Sequence, residues 1–155
     1  MTRRREIRMT DAEVAAFLDA QRTVTCATFG PRGWPHLAPL WYVVRGGRVW
    51  AWTFAKSQKA LDIARDPRAT LQLETGDQYD QLRGVTFECD VIVHRDVGAV
   101  AELGVEILRR YAGVPELPEV VVDGIRRQAA KRVGLEFVER RRASWDHRKL
   151  PAGVY

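Results

Sequence analysis

The sequence predicts a mainly β protein of the α+β class, in which an antiparallel barrel, closed or nearly closed, carries helices at its periphery. Its clearest signal is the alternation of apolar and polar residues from Val85 to His94, the period of a half-buried strand. Gly46-Gly47 joins two apolar, aromatic segments and can supply the positive φ angles of a tight hairpin turn. From Val97 the apolar spacing becomes helical. At 155 residues the chain is expected to form one domain, residues 1–155.

The other elements follow from local signals along the chain. Thr10-Asp11-Ala12-Glu13 matches a capping box, which predicts a helix from there to about Gln21. A short helix is expected to begin at Lys56-Ser57-Gln58-Lys59 and to end where Asp66-Pro67 forces the chain to extend. The predicted order is one helix, five strands with the short helix among them, two helices and a last strand. Further strands are expected at residues 23–29, 36–44, 68–75 and 133–145 and directly after Gly46-Gly47, and further helices at residues 97–113 and 118–132.

Pro39 interrupts the strand predicted at residues 36–44. A proline cannot donate a hydrogen bond to a sheet, so it belongs on an exposed or bent strand. Two interpretations stay open. Pro39 is either a simple edge-strand proline or a point where the neighbouring backbone faces a flat ligand.

Composition and charge limit the classes of partner. The 25 Lys and Arg residues exceed the 20 Asp and Glu residues, which gives a net charge of +5. That sign suits nucleic acid, a membrane surface or a phosphorylated small molecule, and it does not choose among them. Cys26 and Cys89 lie in strand-like patterns without metal-ligand spacing and are expected to be reduced and buried. No apolar segment follows the N-terminal Met-Thr-Arg-Arg-Arg-Glu, so we expect a cytoplasmic protein with no membrane span.

The Lys-Ser-Gln-Lys segment is the strongest candidate for a binding site. Only four lysines occur in the chain, and Lys56 and Lys59 are two of them. The start of a helix exposes unpaired N–H groups and the positive end of the helix dipole, so cations there are unfavourable unless an anion lies among them. With the hydroxyl of Ser57, the two lysines suit a phosphate group. The alternative, a solvated lysine pair beside an ordinary Ser57 N-cap, has similar weight on these residues alone.

Other catalytic constellations find no support in the sequence. No Ser-His-Asp, Cys-His or paired-carboxylate arrangement stands out, and neither the Gly-x-Gly-x-x-Gly nor the P-loop pattern occurs. His36, His94 and His147 are not spaced as metal ligands, so no metal site is expected. Glu88 and Asp90 are expected to be solvated on the outer face of their strand.

Several segments resemble a known family. Residues 51–71 read AWTFAKSQKALDIARDPRATL and resemble the strand, Ser-x-Lys helix and Asp-Pro strand of the pyridoxamine 5′-phosphate oxidase-like flavoproteins. Residues 33–42, GWPHLAPLWY, look like the Gly-x-Pro-x-x-x-Pro-x-Trp segment of that family. Residues 82–85, LRGV, and 144–150, SWDHRKL, are similar to members found in actinobacteria. The resemblance implies a split antiparallel β-barrel with peripheral helices, and a homodimer with two cofactor sites at the subunit interface.

The resemblance also implies a cofactor. True pyridoxamine phosphate oxidases place an Arg-Met-x-x-x-Lys strand against FMN, whereas the equivalent stretch here, Pro39-Leu40-Trp41-Tyr42, lacks that arginine. Pro-x-Trp and the Lys-Ser-x-Lys helix start look closer to the flavin/deazaflavin oxidoreductase branch that uses coenzyme F420. A basic protein suits the anionic polyglutamate tail of F420, although its charge also suits FMN.

By position in the family, Lys56, Ser57, Gln58 and Lys59 would hold the phosphate, with Thr53 at the end of the preceding strand. Pro39, Leu40 and Trp41 would lie along the flat ring, and Tyr79 would reach in from the partner subunit. The implied activity is hydride transfer from reduced F420 to an electron-poor small molecule such as an enone, quinone or tetrapyrrole. The cofactor carries that chemistry, and no catalytic acid is assigned.

Three alternatives accompany this hypothesis. One is an FMN-dependent oxidoreductase of the same fold. Another is a protein that binds a flavin, deazaflavin or haem without turnover, since no catalytic side chain is required. The third is a nucleic-acid-binding barrel with basic arms at Arg3 to Arg5 and Arg140 to Arg142, which no readout motif supports, so we expect no nucleic-acid partner.

Overall fold

The computed structural model describes residues 2–153, which form one antiparallel sheet and the helices packed around it. The strands are β1 (Val24–Phe29), β2 (Pro35–Leu40), β3 (Val43–Arg45), β4 (Arg48–Phe54), β5 (Arg68–Thr75), β6 (Arg83–His94) and β7 (Arg132–Asp146). The α-helices are α1 (Arg3–Glu6), α2 (Asp11–Ala20), α3 (Gln58–Arg65), α4 (Val97–Ala112) and α5 (Glu119–Ala129). Two short 3-10 turns lie at Tyr79–Gln81 and His147–Lys149.

The strand order shows that the sheet curls into a split barrel. Neighbouring strands run β2-β1-β5-β6-β7-β4-β3, and every pair is antiparallel. The edge strands β2 and β3 are separated in the chain only by Trp41 and Tyr42. Three extended residues span at most about 11 Å, so the end of β2 must lie close to the start of β3. We call this gap, crossed by residues 41 and 42, the seam. The predicted fold class is therefore confirmed.

The barrel interior holds the main hydrophobic core. The period-two patterns place alternate residues inside: Val24 and Cys26 on β1, Leu71 and Leu73 on β5, Val85 and Phe87 on β6, and Val133, Leu135 and Phe137 on β7. Cys26 and Cys89 are free and buried, as expected. Burial raises the pKa of each thiol to about 12, so both are poor nucleophiles at neutral pH.

The first predicted helix begins where its capping box indicates. The Thr10 hydroxyl accepts a hydrogen bond from the Glu13 backbone N–H at 3.2 Å, and the Glu13 carboxylate accepts one from the Thr10 N–H at 2.6 Å. Helix α2 then buries Val14, Phe17 and Leu18 against the core. Its amphipathic face thus covers one end of the barrel.

The Gly46-Gly47 hairpin also forms as predicted. Both glycines have positive φ, at 56° and 76°, and they join β3 to β4. A two-residue turn of this kind matches the right-handed twist of the strands on either side of it.

Two predictions differ from the observed fold. The single strand predicted at residues 36–44 is two strands, β2 and β3, because the chain crosses the seam after Leu40. Pro39 does not cause the break, since it pairs with Thr25 within the edge strand β2. The second difference is helix α1 at Arg3–Glu6, where the sequence indicated only a basic leader.

A β-bulge divides β7 into two parts. Glu88 on β6 lies opposite Arg141, but the next residue, Cys89, lies opposite Glu139, so Arg140 is the extra residue. Beyond the bulge, the Ser144 hydroxyl accepts a hydrogen bond from the Met9 N–H at 3.0 Å. The Asp146 N–H donates to the Ile7 carbonyl at 2.7 Å. The second half of β7 therefore holds the segment before α2.

Helices α4 and α5 form a second layer outside β4. Trp52 packs with Val100, Ala101 and Ala129 of these helices, and it packs closely on Gly104. A Cβ added at Gly104 would lie 2.4 Å from Cζ3 of Trp52. Within residues 2–153, no helix has the length and apolar character that crossing a membrane requires.

Candidate functional site

The start of α3 gathers hydroxyl and ammonium groups at the end of β4. Ser57 caps the helix by accepting a hydrogen bond from the Ala60 N–H at 3.4 Å. Its Oγ lies 3.1 Å from Oγ1 of Thr53, and Nζ of Lys59 donates to the same threonine oxygen at 3.2 Å. Thr53, Ser57 and Lys59 are thus brought together, with exposed Lys56 next to them in the chain.

The electrostatics of this helix start favour an anion. The first turn of α3 contains no acidic residue. Among the ion pairs of the described residues, none involves Lys56 or Lys59. Two ammonium groups without carboxylate partners therefore lie where the helix dipole is already positive. The residues present fit a phosphate group, which would accept from the lysines, the hydroxyls and the free N–H groups of the first turn.

The Gln58 side chain donates to a buried carboxylate, and its contact with a phosphate stays a prediction. Its Nε2 donates to Oδ1 of Asp62 at 2.8 Å. Asp62 is 0% exposed and also accepts from the Thr28 hydroxyl at 2.8 Å and from Arg65 at 3.2 Å. Burial acts to raise the pKa of Asp62, but hydrogen bonds from Gln58, Thr28 and Arg65 outweigh it and leave the pKa below its usual value. Asp62 therefore ties α3 to β1.

Sequence reasoning missed Asp62. The only local signal was its position four residues after Gln58, on the same helix face.

Pro39, Leu40 and Trp41 lie at the seam edge of the sheet but differ in accessibility. Pro39 and Trp41 are exposed, whereas the Leu40 side chain is only 8% exposed and belongs to the core. Leu40 can therefore meet a ligand through its backbone alone. The Trp41 ring stacks on Tyr111 of α4, with 4.3 Å between centroids and 9° between planes.

Strand register links the two groups of predicted site residues. Helix α3 packs against both β1 and β2. Cys26 pairs with Ala38 across β1 and β2, and Ala38 directly precedes Pro39. The candidate anion site at the start of α3 and the exposed edge of β2 are thus positioned by the same pair of strands.

Tyr79 lies in a different environment. It begins the 3-10 turn Tyr79–Gln81, and its ring lies 4.6 Å from that of His147 in a tilted arrangement. The Tyr79 carbonyl is 2.8 Å from Nδ1 of His147. A role for Tyr79 across a subunit interface stays a prediction.

Three other polar residues singled out in the sequence have partners within the protein. His94 contacts Glu136 at 2.8 Å, and Asp90 pairs with Arg140 at 2.6 Å. Glu88 is exposed and lies 3.8 Å from Arg141. No group of three or more His, Cys, Asp or Glu residues within the described chain could hold a metal ion.

The chain is thus a split barrel in which a helix start that fits a phosphate group lies near the edge strand β2. The sequence model of the pyridoxamine 5′-phosphate oxidase family matches residues 10–140. The chain belongs to that family, which confirms the resemblance at the family level. None of the curated proteins compared with the chain matches it.

Solved structures of other proteins have the same fold. The conserved hypothetical protein Rv2991 from Mycobacterium tuberculosis is 44% identical, with a TM-score of 0.87 over 97% of this chain and 94% of that one. A structure described as an F420 reductase is 18% identical, with a TM-score of 0.62 over 83% and 94% of the two chains. A FAD-binding protein from Mesorhizobium loti is 15% identical, with a TM-score of 0.65 over 88% and 94%. The last two share the fold.

Proposed function

We propose that this protein is an oxidoreductase that uses reduced coenzyme F420 to transfer hydride to an electron-poor small-molecule acceptor. The observation that carries the proposal is the cluster of Thr53, Ser57 and Lys59 at the start of α3, with Lys56 beside it. These groups would hold the phosphate of the cofactor. The same cluster would serve an FMN-dependent enzyme. It therefore supports a phosphorylated cofactor but does not distinguish the F420 ring from the FMN ring.

The choice of F420 over FMN rests on the seam edge. Pro39 and Trp41 are exposed where the oxidases of the family carry an arginine strand against FMN. The net charge of +5 suits the polyglutamate tail of F420. An F420 reductase with the same fold is consistent with this choice.

In the proposed reaction, the residues of this chain bind and orient. Lys56, Lys59 and Ser57 would fix the phosphate end, and the edge of β2 would support the ring. Bound F420 supplies the hydride chemistry. The protein's contribution would be to hold the ring and the acceptor at near-attack distance, about 3 to 3.5 Å, and to exclude water from the space between them. No side chain is assigned as the proton donor.

We further propose a homodimer with a cofactor site at each end of its interface. Phe29, Trp34 and Leu37 are all more than half exposed on or beside the outer face of β1 and β2. Phe29 pairs with Pro35, which follows Trp34 and lies two residues before Leu37 on the same strand. Exposed apolar side chains grouped in this way are typical of interaction sites in water-soluble proteins. Tyr79 of the partner would complete the site. The cytoplasmic location expected from the N-terminal sequence stays a prediction.

The decisive experiment is titration of the purified protein with F420 and with FMN, followed by a steady-state assay with the reduced form of whichever binds. The proposal expects tight F420 binding and reduction of an enone or quinone. If the purified protein retains FMN, the cofactor in this proposal would be FMN instead of F420. Binding of either cofactor without turnover of any acceptor would indicate a cofactor-binding protein instead.

A further inference from the structure

The two residues that cross the seam are held by α4 instead of by the sheet. The Tyr42 N–H donates to the hydroxyl of Tyr111 at 2.9 Å. Nη1 of Arg110 donates to the Tyr42 carbonyl at 2.7 Å and to the Tyr111 hydroxyl at 2.8 Å. Backbone polar groups that leave a sheet need other partners, and these two side chains supply them.

Arg110 also fixes the end of α2 against this point. Its Nη2 donates to the carbonyls of Leu18, Asp19 and Gln21 at 3.1, 3.0 and 2.7 Å. The Tyr42 hydroxyl donates to the Leu18 carbonyl as well. The end of α2, the seam and the last turn of α4 therefore form one hydrogen-bonded unit.

The Tyr111 ring packs against the exposed Trp41 indole at the seam. Trp41 is 52% exposed, and its indole lies nearly parallel to the Tyr111 ring at 4.3 Å. The Arg22 guanidinium lies over the same phenol ring, 4.6 Å from its centroid, and donates to the Tyr111 carbonyl at 3.1 Å. Tyr111 is thus fixed through its hydroxyl, its ring and its backbone, so it can hold the indole in one orientation.

We propose that Tyr111 is a positioning residue, which holds the Trp41 indole in the orientation that a planar conjugated cofactor ring requires for stacking. The proposal rests on the proposed function, because it concerns the ring end of the same site. An indole half in solvent on a two-residue connection would otherwise sample several rotamers. Ordering the side chain before binding removes that entropic cost from the binding step.

The first test concerns the protein without cofactor. The Nε1–H resonance of Trp41 is assigned by comparison with Trp41→Phe, and its NMR order parameter is measured in wild type, Tyr111→Phe and Tyr111→Leu. Phenylalanine keeps the stacked ring and removes the hydroxyl, whereas leucine removes both. The indole is expected to be rigid in the first two proteins and mobile in Tyr111→Leu. Equal order in all three would overturn the proposal.

The second test adds F420 and FMN in separate titrations. Tyr111→Leu is expected to bind the retained cofactor about 3- to 10-fold more weakly than wild type, and to lose part of the quenching and spectral shift that stacking gives the ring. Tyr111→Phe is expected to keep both, although each variant unfolds at a lower temperature than wild type. Equal weakening in the two variants would mean that Tyr111 acts only on stability, and the proposal would fail.

The outcomes separate this inference from the proposed function. If wild type binds neither F420 nor FMN, the proposed function fails, and with it the claim that the indole receives a cofactor ring. If a cofactor binds and the order of Trp41 is independent of Tyr111, only the positioning role fails. Should Tyr111→Leu not fold, Tyr111→Met fills a similar volume with a flexible chain and carries the same expectations.

Discussion

Lys59 is the residue on which phosphate binding should depend most. Its ammonium already lies against Thr53, 3.2 Å from the hydroxyl oxygen, and it has no recorded carboxylate partner among residues 2–153. Lys59→Ala should weaken cofactor binding by about 10-fold or more, since hydrogen bonds to charged groups contribute roughly 1.5–3 kcal/mol. Fluorescence titration measures this change, and circular dichroism should show an unchanged fold.

The matched control is Lys131→Ala. Lys131 is exposed, whereas Lys59 is half-buried, and Lys131 lies in the connection between α5 and β7. Its removal lowers the net charge by the same amount, so a general charge effect would appear equally in both variants. Equal affinities of wild type and Lys59→Ala would refute the phosphate assignment.

Asp62 should make the stability of α3 depend on pH. The pKa of this carboxyl is lower in the folded protein than in the unfolded chain, so the folded state binds fewer protons. Its contribution is complete above the unfolded pKa of about 3.9 and is lost as the pH falls through the lower, folded value. Asp62→Asn should therefore cost roughly 2 kcal/mol near neutral pH, and this deficit should shrink in acid.

Urea unfolding of wild type and Asp62→Asn, followed from about pH 7 down to about pH 3, measures that difference. Asp77→Asn is the control, because Asp77 lies exposed in the loop after β5. A deficit for Asp62→Asn that stays constant across this range would contradict the linkage.

Sequence reasoning at the residue scale succeeded where a signal is local. Ser57 caps α3 and Thr10 caps α2, each through a hydrogen bond three residues away. Asp62 could not be found in this way, because its partner Thr28 lies 34 residues earlier in the chain. The four-residue spacing from Gln58 to Asp62 does not show whether the carboxylate is buried or solvated.

The contact between α4 and β4 requires a glycine at position 104. Gly104 allows the Trp52 ring to approach the helix, and an added Cβ would lie 2.4 Å from that ring and 2.9 Å from Cγ2 of Ile125. Gly104→Ala should therefore destabilise the protein by about 1–3 kcal/mol, although alanine is the better helix former. Urea unfolding measures the free-energy change.

Gly98→Ala is the matched control in the same helix. A Cβ at Gly98 would meet only the Asp96 carboxylate, at 3.5 Å. This variant should be neutral or more stable by up to about 1 kcal/mol. If the two variants had the same stability, the close contact with Trp52 would not limit the packing of α4.

The seam marks the limit of sequence reasoning at the scale of elements. Leu40, Trp41, Tyr42 and Val43 form a continuous apolar run, which predicts one uninterrupted strand. Where the chain leaves β2, the backbone of Tyr42 is bound instead by Tyr111 and Arg110, almost seventy residues away. No local pattern contains that information. The alternation in β5 and β6 was predictable because each of these strands buries mainly one face.

The whole molecule is expected to act as a dimer. Light scattering after size-exclusion chromatography should give twice the chain mass of 17.7 kDa. Leu37→Glu, at a side chain 61% exposed on β2, should shift the protein to monomer and weaken cofactor binding, because the charge would be buried in the interface.

Val120→Glu is its matched control, since Val120 is 72% exposed on α5, in the helical layer outside β4. This variant should remain a dimer. A monomeric wild type at the concentrations where cofactor binds would exclude an interfacial site.

The extra residue at Arg140 determines which face of the second half of β7 contacts the segment before α2. On β7 the odd-numbered residues 133, 135 and 137 face the core, but after the bulge the even-numbered Ser144 and Asp146 do. These two residues hold Met9 and Ile7. Deleting one residue at this point would restore a regular strand. Ser144 and Asp146 would then lie on the opposite face of β7, away from Met9 and Ile7. We therefore expect a change of length by one residue there to detach the segment around Ile7 and Met9 from β7, whereas in a surface loop such a change is better tolerated.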